Sequence, residues 1–556
     1  MKVLKALIQD IYQLYRLNKF KKELDYKMST NEQTPLESFI THKAETSMQC
    51  GNYSIDIPKP KVGEQYRFHF DATACIGCHC CEVACNEQNN NSADVKWRRV
   101  GETQSGIFPN VKNHFNSMSC NHCLEPECLI GCPTESYIKL DNGIVFHDDD
   151  TCIGCQYCTW NCPYEVPVFN KDRGIVTKCH MCHEKLEVGQ TPACVQACPS
   201  GAIAIEIVNV KDWLEKDMQE SGIAPNLPDI DITKPTTRYT IDETDDMTPA
   251  DAHIIKPNHS EWPLVFMTVL TQISLGGFTT LVLTELLNIL GFNLAIPTLW
   301  MIIAVFLPTA IGLPLSALHL GRPILAYTAM KNIKTSWLSR EALALGLYAL
   351  GLTLLIVLFF FEANQIFRFI IELAVLAIGI YGIYAQSMIY RIKARPSWNK
   401  KETTKTFFNV SYIGLLLVSL ILVLTEQYST ASVILPFALF IAYLQYDELK
   451  KEKSFYETLD EKTKNFYQLN KTKILYEVNF KKHTEYRTKS LYIGSLGLPL
   501  IAMFLLASGS YSSTIFVLTL SLIISFSSEI VSRLLFYKTA VALGLAGNFF
   551  AGNQRN

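Results

Sequence analysis

Residues 75–85 read CIGCHCCEVAC, and residues 152–163 return to the same frame as CIGCQYCTWNCP. The first parses as Cys75-x2-Cys78-x2-Cys81-x3-Cys85, leaving Cys80 outside the frame, and the second as Cys152, Cys155, Cys158 and Cys162. Between them CNHCLEPECLIGCP supplies Cys120, Cys123, Cys128 and Cys132 with a widened middle gap; after them CHMCHEKLEVGQTPACVQACP supplies Cys179, Cys182, Cys194 and Cys198. Three thiolates two residues apart can converge on one iron-sulfur cube, while the turn that follows carries the fourth to another. Pro133, Pro163 and Pro199 make that turn in three groups; Asn86 stands there in the first. The expectation is four [4Fe-4S] clusters, with group one paired with group four and group two with group three.

Structural zinc is the bland alternative, but zinc knuckles use four ligands in CxxC or HxxxH pairs rather than cysteine triplets at this spacing. His79, His122, His180 and His183 read as neighbours of the clusters rather than ligands. Cys50 and Cys80 read as plain thiols, with a register slip that exchanges Cys80 for Cys81 left open. All 18 cysteines fall between Cys50 and Cys198, in tight clusters rather than scattered as in a secreted disulfide scaffold.

The remainder of the 556 residues is of another kind. Apolar runs recur near 262–285, 298–318, 341–361, 366–388, 406–425, 430–446, 490–507 and 513–535, each close to the roughly 20 residues that a helix needs to cross a bilayer. The sequence therefore predicts a multi-domain chain: an α+β, ferredoxin-like four-cluster domain followed by an all-α bundle of eight transmembrane helices. Its expected divisions are 1–63 (amphipathic helix and polar linker), 64–207 (clusters), 208–258 (linker) and 259–556 (membrane anchor). The first 26 residues place Val3, Leu4, Leu7, Ile8, Ile11 and Leu14 on one helical face and do not read as an export signal. A net charge of −2 argues against a nucleic-acid binder.

Connections between the spans alternate in charge. Arg322, Lys331, Lys334 and Arg340, then Arg391 to Lys405, then the lysine-rich 447–489 segment lie on one side; 286–297, 362–365, 426–429 and 508–512 carry no Lys or Arg. The positive-inside rule places the cluster domain in the cytoplasm, on a multi-pass protein of the cytoplasmic (inner) membrane. On the basic side sit His319 (SALHLGRP), Glu341 (WLSREALA), Arg391, and Glu529 with Arg533 (SSEIVSRLLFY). A histidine and a carboxylate beside a cluster suit the acceptance of protons from a quinol, with the other three as surroundings; headgroup anchoring is the plainer reading of the arginines.

Residues 64–207 resemble the four-cluster electron-transfer subunit of dimethyl sulfoxide reductase-type molybdoenzymes, down to the widened second group and the eleven-residue gap in the fourth. Nitrate reductase relatives replace one cysteine of the third group by tryptophan; Cys155 fills it here. HSEWPLVFMTVLTQISLGGF, HLGRPILAYTAMKN and SEIVSRLLFY resemble the family's membrane anchor, in which the residues matching His319 and Glu341 are tied to menaquinol. The resemblance implies a fusion of two subunits that oxidises menaquinol from the membrane quinone pool and feeds a separate catalytic subunit carrying molybdopterin (molybdenum bis-guanine dinucleotide). The alternatives are that the same module serves an assimilatory nitrate, polysulfide or other oxyanion reductase, runs in reverse as a quinone reductase, or is a passive anchor that binds no quinone.

Overall fold

The computed structural model describes residues 58–222, 227–241, 248–249, 255–294 and 297–544. The expected N-terminal helix and Cys50 lie outside the described residues. The cluster domain begins with β1 (Glu64–Asp71) and α1 (Cys80–Gln88), continues through the antiparallel hairpin β2 (Arg99–Ser105) and β3 (Lys112–Met118), and then repeats one unit twice. In the first unit α2 (Glu127–Gly131) precedes the hairpin of β4 (Tyr137–Lys139) and β5 (Val145–His147); in the second α3 (Tyr157–Asn161) precedes β6 (Val168–Asn170) and β7 (Ile175–Thr177). Two short helices, α4 (His183–Glu187) and α5 (Ala193–Gln196), carry the fourth cysteine group, and β8 (Ile203–Asn209) returns antiparallel to β1.

Residues 208–222 and 227–241, expected as linker, are folded onto this domain. β9 (Arg238–Thr240) adds to β1 in parallel, Trp213 is fully buried with its indole donating to Pro235 O at 3.0 Å, and Thr236 and Thr237 bond Asn121 at 2.8 and 2.7 Å. The anchoring residues Trp213, Met218, Ile230 and Tyr239 are too widely spaced among Asp, Pro and Thr to show any period in the sequence.

Among the described residues, eight helices follow that are long and apolar enough to span a membrane: α6 (Trp262–Ile289), α7 (Leu299–Ala317), α8 (Trp337–Phe360), α9 (Gln365–Tyr390), α10 (Lys401–Leu424), α11 (Tyr428–Glu457), α12 (Lys481–Ala507) and α13 (Tyr511–Lys538). In α6 and α10 the apolar stretch is 83% and 67% buried, against 28–39% for the other six, so these two form the axis of the bundle. They cross through glycine. A Cβ on Gly276 would stand 2.0 Å from Ser411 O, and one on Gly414 2.2 Å from Gly277 N, so no larger side chain fits.

The 447–489 segment is helical rather than an irregular insertion. It extends α11 and α12 beyond the apolar stretch and inserts a helix, Phe466–Ile474, between them. Arg487 pairs with Glu452 at 3.3 Å, Lys400 lies over the rings of Phe455 and Tyr456, and Lys464 reaches Asp229 at 3.1 Å. Arg487 thus ties the ends of two spans to each other, and Lys464 ties the segment to Asp229 of the cluster domain.

Candidate functional site

The cysteine loops owe their shape to left-handed residues at fixed offsets. Gly77 and His79 (φ 68° and 60°) follow Cys75 as Gly154 and Gln156 (φ 68° and 62°) follow Cys152. His122 and Met181 take φ 42° and 60° two residues after Cys120 and Cys179. Such turns direct consecutive amides inward. Gly154 N donates to Cys152 Sγ at 3.4 Å, Met181 N to Cys179 Sγ at 3.3 Å and Ser136 N to Cys132 Sγ at 3.4 Å.

The thiols gather in four sets of four. Cys75 has Cys78, Cys81 and Cys198 for neighbours; Cys85 has Cys179, Cys182 and Cys194. Cys120, Cys123, Cys128 and Cys162 form the third set, and Cys132, Cys152, Cys155 and Cys158 the fourth. Three cysteines of each group thus meet the fourth of another, and the pairing is one with four and two with three. Cys81 is buried in the first set, whereas Cys80 is exposed. Among the described residues no three such side chains close tightly enough around a single ion; a cube needs wider spacing, because each thiolate meets a different corner iron.

The sets lie in a row. Cys194 of the second set senses Cys81 of the first, Cys120 of the third senses Cys179 of the second, and Cys128 of the third senses Cys132 of the fourth. Two buried cations stand among them. Arg98 bonds Ser117 and Ser119 (3.1 and 2.9 Å) and, among the described residues, no carboxylate; burial opposes its charge, yet the sulfurs of Cys194, Cys81, Cys179 and Cys85 outweigh burial and raise its proton affinity. Lys178 Nζ lies 3.6 Å from Cys120 Sγ, donates to the carbonyls of Val145 and Cys179, and is 3% exposed. Buried cations without carboxylate partners require an anion nearby, and a thiolate-bound iron-sulfur group supplies one; the residues fit the clusters. Burial, then the charge of Lys178, holds His122 well below the usual imidazole range, and its Nδ1 accepts from Val145 N at 3.0 Å, as a neutral ring can.

The fourth set abuts the membrane helices. In the loop after α7, Gly321 N donates to Gly154 O (3.3 Å), Arg322 N to Ile153 O (3.0 Å) and Arg322 Nη1 to Asp149 O (2.9 Å). At the entry to α8, Asn332 Nδ2 donates to Cys132 O (2.9 Å), Ser336 Oγ to Gly131 O (2.8 Å) and Ser339 Oγ to Pro133 O (3.3 Å). His319 lies two residues before the first contact and Glu341 two residues after the second. His319 is half-buried, its Nδ1 against Ser316 O. Glu341 is buried with Oε1 unpartnered and Gln386 beside it.

From Glu341 a chain of polar side chains runs between the spans. Gln272 Nε2 donates to Gln386 Oε1 at 2.9 Å and Arg533 Nη2 donates to Gln272 Oε1 at 3.1 Å. Arg533 also covers the Phe407 ring at 3.8 Å. Glu529, one helical turn away, accepts from Gln445 at 3.2 Å and Tyr412 at 3.4 Å. Glu341 and Arg533 are thus linked through Gln386 and Gln272; Arg391, which bonds Met388 Sδ at 3.6 Å, stands outside this chain. The residues that sequence reasoning missed are Gln272 and Gln386, polar groups within apolar runs, Tyr390 and Tyr537 just past the ends of two runs, and the two cations Arg98 and Lys178. An uncharged polar residue deep in a span was the available signal for the first two.

A row of iron-sulfur sites built onto a membrane bundle defines an electron-transfer protein fused to its own anchor. Residues 111–207 match the 4Fe-4S dicluster domain and residues 256–539 match the DMSO reductase anchor subunit (DmsC). The protein is a member of the DMSO reductase anchor subunit family. Its iron-sulfur part is homologous to a different chain of the same enzymes, so one polypeptide here joins two subunits of a DMSO reductase-like complex. An anaerobic dimethyl sulfoxide reductase chain of Haemophilus influenzae is 37% identical over 181 residues, 31% of this protein and 87% of that one. The corresponding anaerobic dimethyl sulfoxide reductase chain of Escherichia coli K12 is 36% identical over 179 residues (31% and 86%), and a sulfite dehydrogenase subunit of Allochromatium vinosum 35% over 154 residues (24% and 64%). The protein is an integral membrane iron-sulfur subunit that works with a separate catalytic subunit.

Proposed function

We propose that this chain oxidises menaquinol beside His319 and Glu341 and passes the electrons singly through four [4Fe-4S] clusters to a molybdopterin-bearing subunit. The observation that carries the reading is the row of four thiol sets, the fourth of which lies against the loops of His319 and Glu341. The ligands are Cys132, Cys152, Cys155 and Cys158 for the cluster nearest the membrane; Cys120, Cys123, Cys128 and Cys162 for the next; Cys85, Cys179, Cys182 and Cys194 for the third; and Cys75, Cys78, Cys81 and Cys198 for the last. Cys78, Ile76 and Val83 are exposed at that last set, which suits electron exit to a partner.

The clusters supply one-electron carriers. The chain's own groups do the rest: Glu341, with a free oxygen in a buried setting, and His319 accept the quinol's protons, while Arg533 and Glu529 complete the polar surroundings through Gln272 and Gln386. Arg391 belongs to the headgroup boundary. The alternating charge of the connections supports a cytoplasmic cluster domain.

The test is to isolate the complex from native membranes, count iron, and follow cluster reduction by a soluble menaquinol analogue. About sixteen irons per chain, reduction by the analogue, and its loss in His319→Ala and Glu341→Gln with iron retained are expected. Wild-type kinetics in both variants would refute the quinol site.

A further inference from the structure

Oxidation of a quinol next to the fourth thiol set releases protons beside the buried Glu341, so they need a way out. A cavity of about 210 Å³ opens on the aqueous side of that boundary, rimmed by exposed Asp94, Lys171 and His259 and walled deeper by Trp160, Glu261 and Tyr537. Tyr537 is 1% exposed, and its hydroxyl meets that of Tyr390 at 2.5 Å. Tyr390 lies within electrostatic range of Glu341; Tyr537 senses Glu261 as well as Glu341. Glu261 is 3.7 Å from His259 at the mouth. Tyr390 stands one helical turn beyond Gln386, the neighbour of Glu341, and the Tyr390–Tyr537 pair ends at the cavity that Tyr537 and Glu261 line.

We propose that the Tyr390–Tyr537 hydroxyl pair is the proton exit of the quinol site, discharging through the Glu261 cavity on the side of the cluster domain. The inference rests on the quinol reading above. For each quinol oxidised, two O–H bonds break, two electrons leave one at a time for the iron-sulfur chain, and two protons are taken by His319 and Glu341 and reach the exit in turn through the Glu341 carboxylate. Each is relayed as the Tyr390 hydroxyl takes a proton and gives its own to Tyr537, which gives its own to cavity water. Both tyrosines end unchanged. A hydroxyl pair can do this because every O–H is both donor and acceptor, and a cavity of this size with polar walls holds several waters. Trp160, Trp398 and Phe536 pack around the pair and hold both rings in place.

The test uses the intact complex in native membranes, with Tyr390→Phe, Tyr537→Phe and, outside the spans, Glu261→Gln. Cluster reduction by the menaquinol analogue is expected to slow about a hundredfold in the tyrosine variants and less in Glu261→Gln, with a larger solvent deuterium isotope effect in all three. Dithionite should reduce the same clusters at the wild-type rate, and binding of a quinone analogue should be unchanged. Wild-type rates and isotope effects in all three variants, with Glu341→Gln inactive, would overturn the exit and leave the quinol site standing. Wild-type rates in both Glu341→Gln and His319→Ala would overturn the quinol site and the exit together.

Discussion

Gly321→Ala separates the two halves of this protein by a single methyl group. A Cβ on Gly321 would fall 2.0 Å from Gly174 O, 2.6 Å from its carbonyl carbon and 2.9 Å from its Cα. The obstacle is backbone and cannot swing aside: Gly174 is left-handed at φ 65° and is itself wedged against Gly321 O. Gly321 lies outside the left-handed region, so alanine suits its own backbone and the clash acts alone. To restore the 3.4 Å of an ordinary contact the loop must retreat by about 1.4 Å. That breaks the Gly321–Gly154 and Arg322–Ile153 hydrogen bonds, a loss of about 2 kcal/mol at the usual net value of each. It also moves His319 away from the fourth thiol set, and misplacement by about an ångström can cost about a hundredfold in rate. Menaquinol-analogue bleaching of the clusters should therefore slow by up to about two orders of magnitude, while iron content and dithionite reduction stay at wild type. Gly346→Ala, with nothing within 4 Å of its added methyl, is the control and should be silent. A wild-type rate in Gly321→Ala would refute the claim that the triple-glycine contact of Gly154, Gly174 and Gly321 sets the spacing between membrane loop and cluster.

Lys178→Met removes the buried cation beside Cys120 and should lower the midpoint of the adjacent cluster. A lost charged hydrogen bond of about 1.5 kcal/mol corresponds to about 60 mV for a one-electron couple, readable in an EPR-monitored redox titration; unmoved midpoints would show that Lys178 is not compensating cluster charge. Cys81→Ser should cost about four of the chain's irons and Cys80→Ser none, by iron analysis of the purified complex; the reverse pattern would mean that the first group is read one residue out of frame.

Much of this architecture is legible in the sequence because its signals are local. Cysteines two and three residues apart can close only a small number of loops, so the frame Cys75, Cys78, Cys81 is readable from spacing, and the exchange of Cys80 for Cys81 that spacing leaves open is decided by burial, with Cys81 inside and Cys80 exposed. Likewise the eight spans are local facts of length and hydropathy, and all eight are found, with polar ends that run past the apolar stretch into water. The 208–241 segment reads as linker for the opposite reason: Trp213 and Tyr239 are held by partners far off in sequence, β1 among them, and leave no period of their own.

What the sequence by itself determined is thus a set of parts: cysteine quartets, membrane helices, and the candidate pair His319 and Glu341. Only the tertiary structure decided their order and their contacts. The succession of the thiol sets depends on which fourth cysteine crosses to which group, and the seat of the last set on the bundle depends on three glycines from three separate segments meeting backbone to backbone. The buried route from Glu341 through Gln386 and Gln272 to Arg533 joins helices far apart in the chain. Spacing fixes what a loop can bind, since that is settled within a few residues; where electrons and protons go next is settled by packing between distant segments, which no local pattern records.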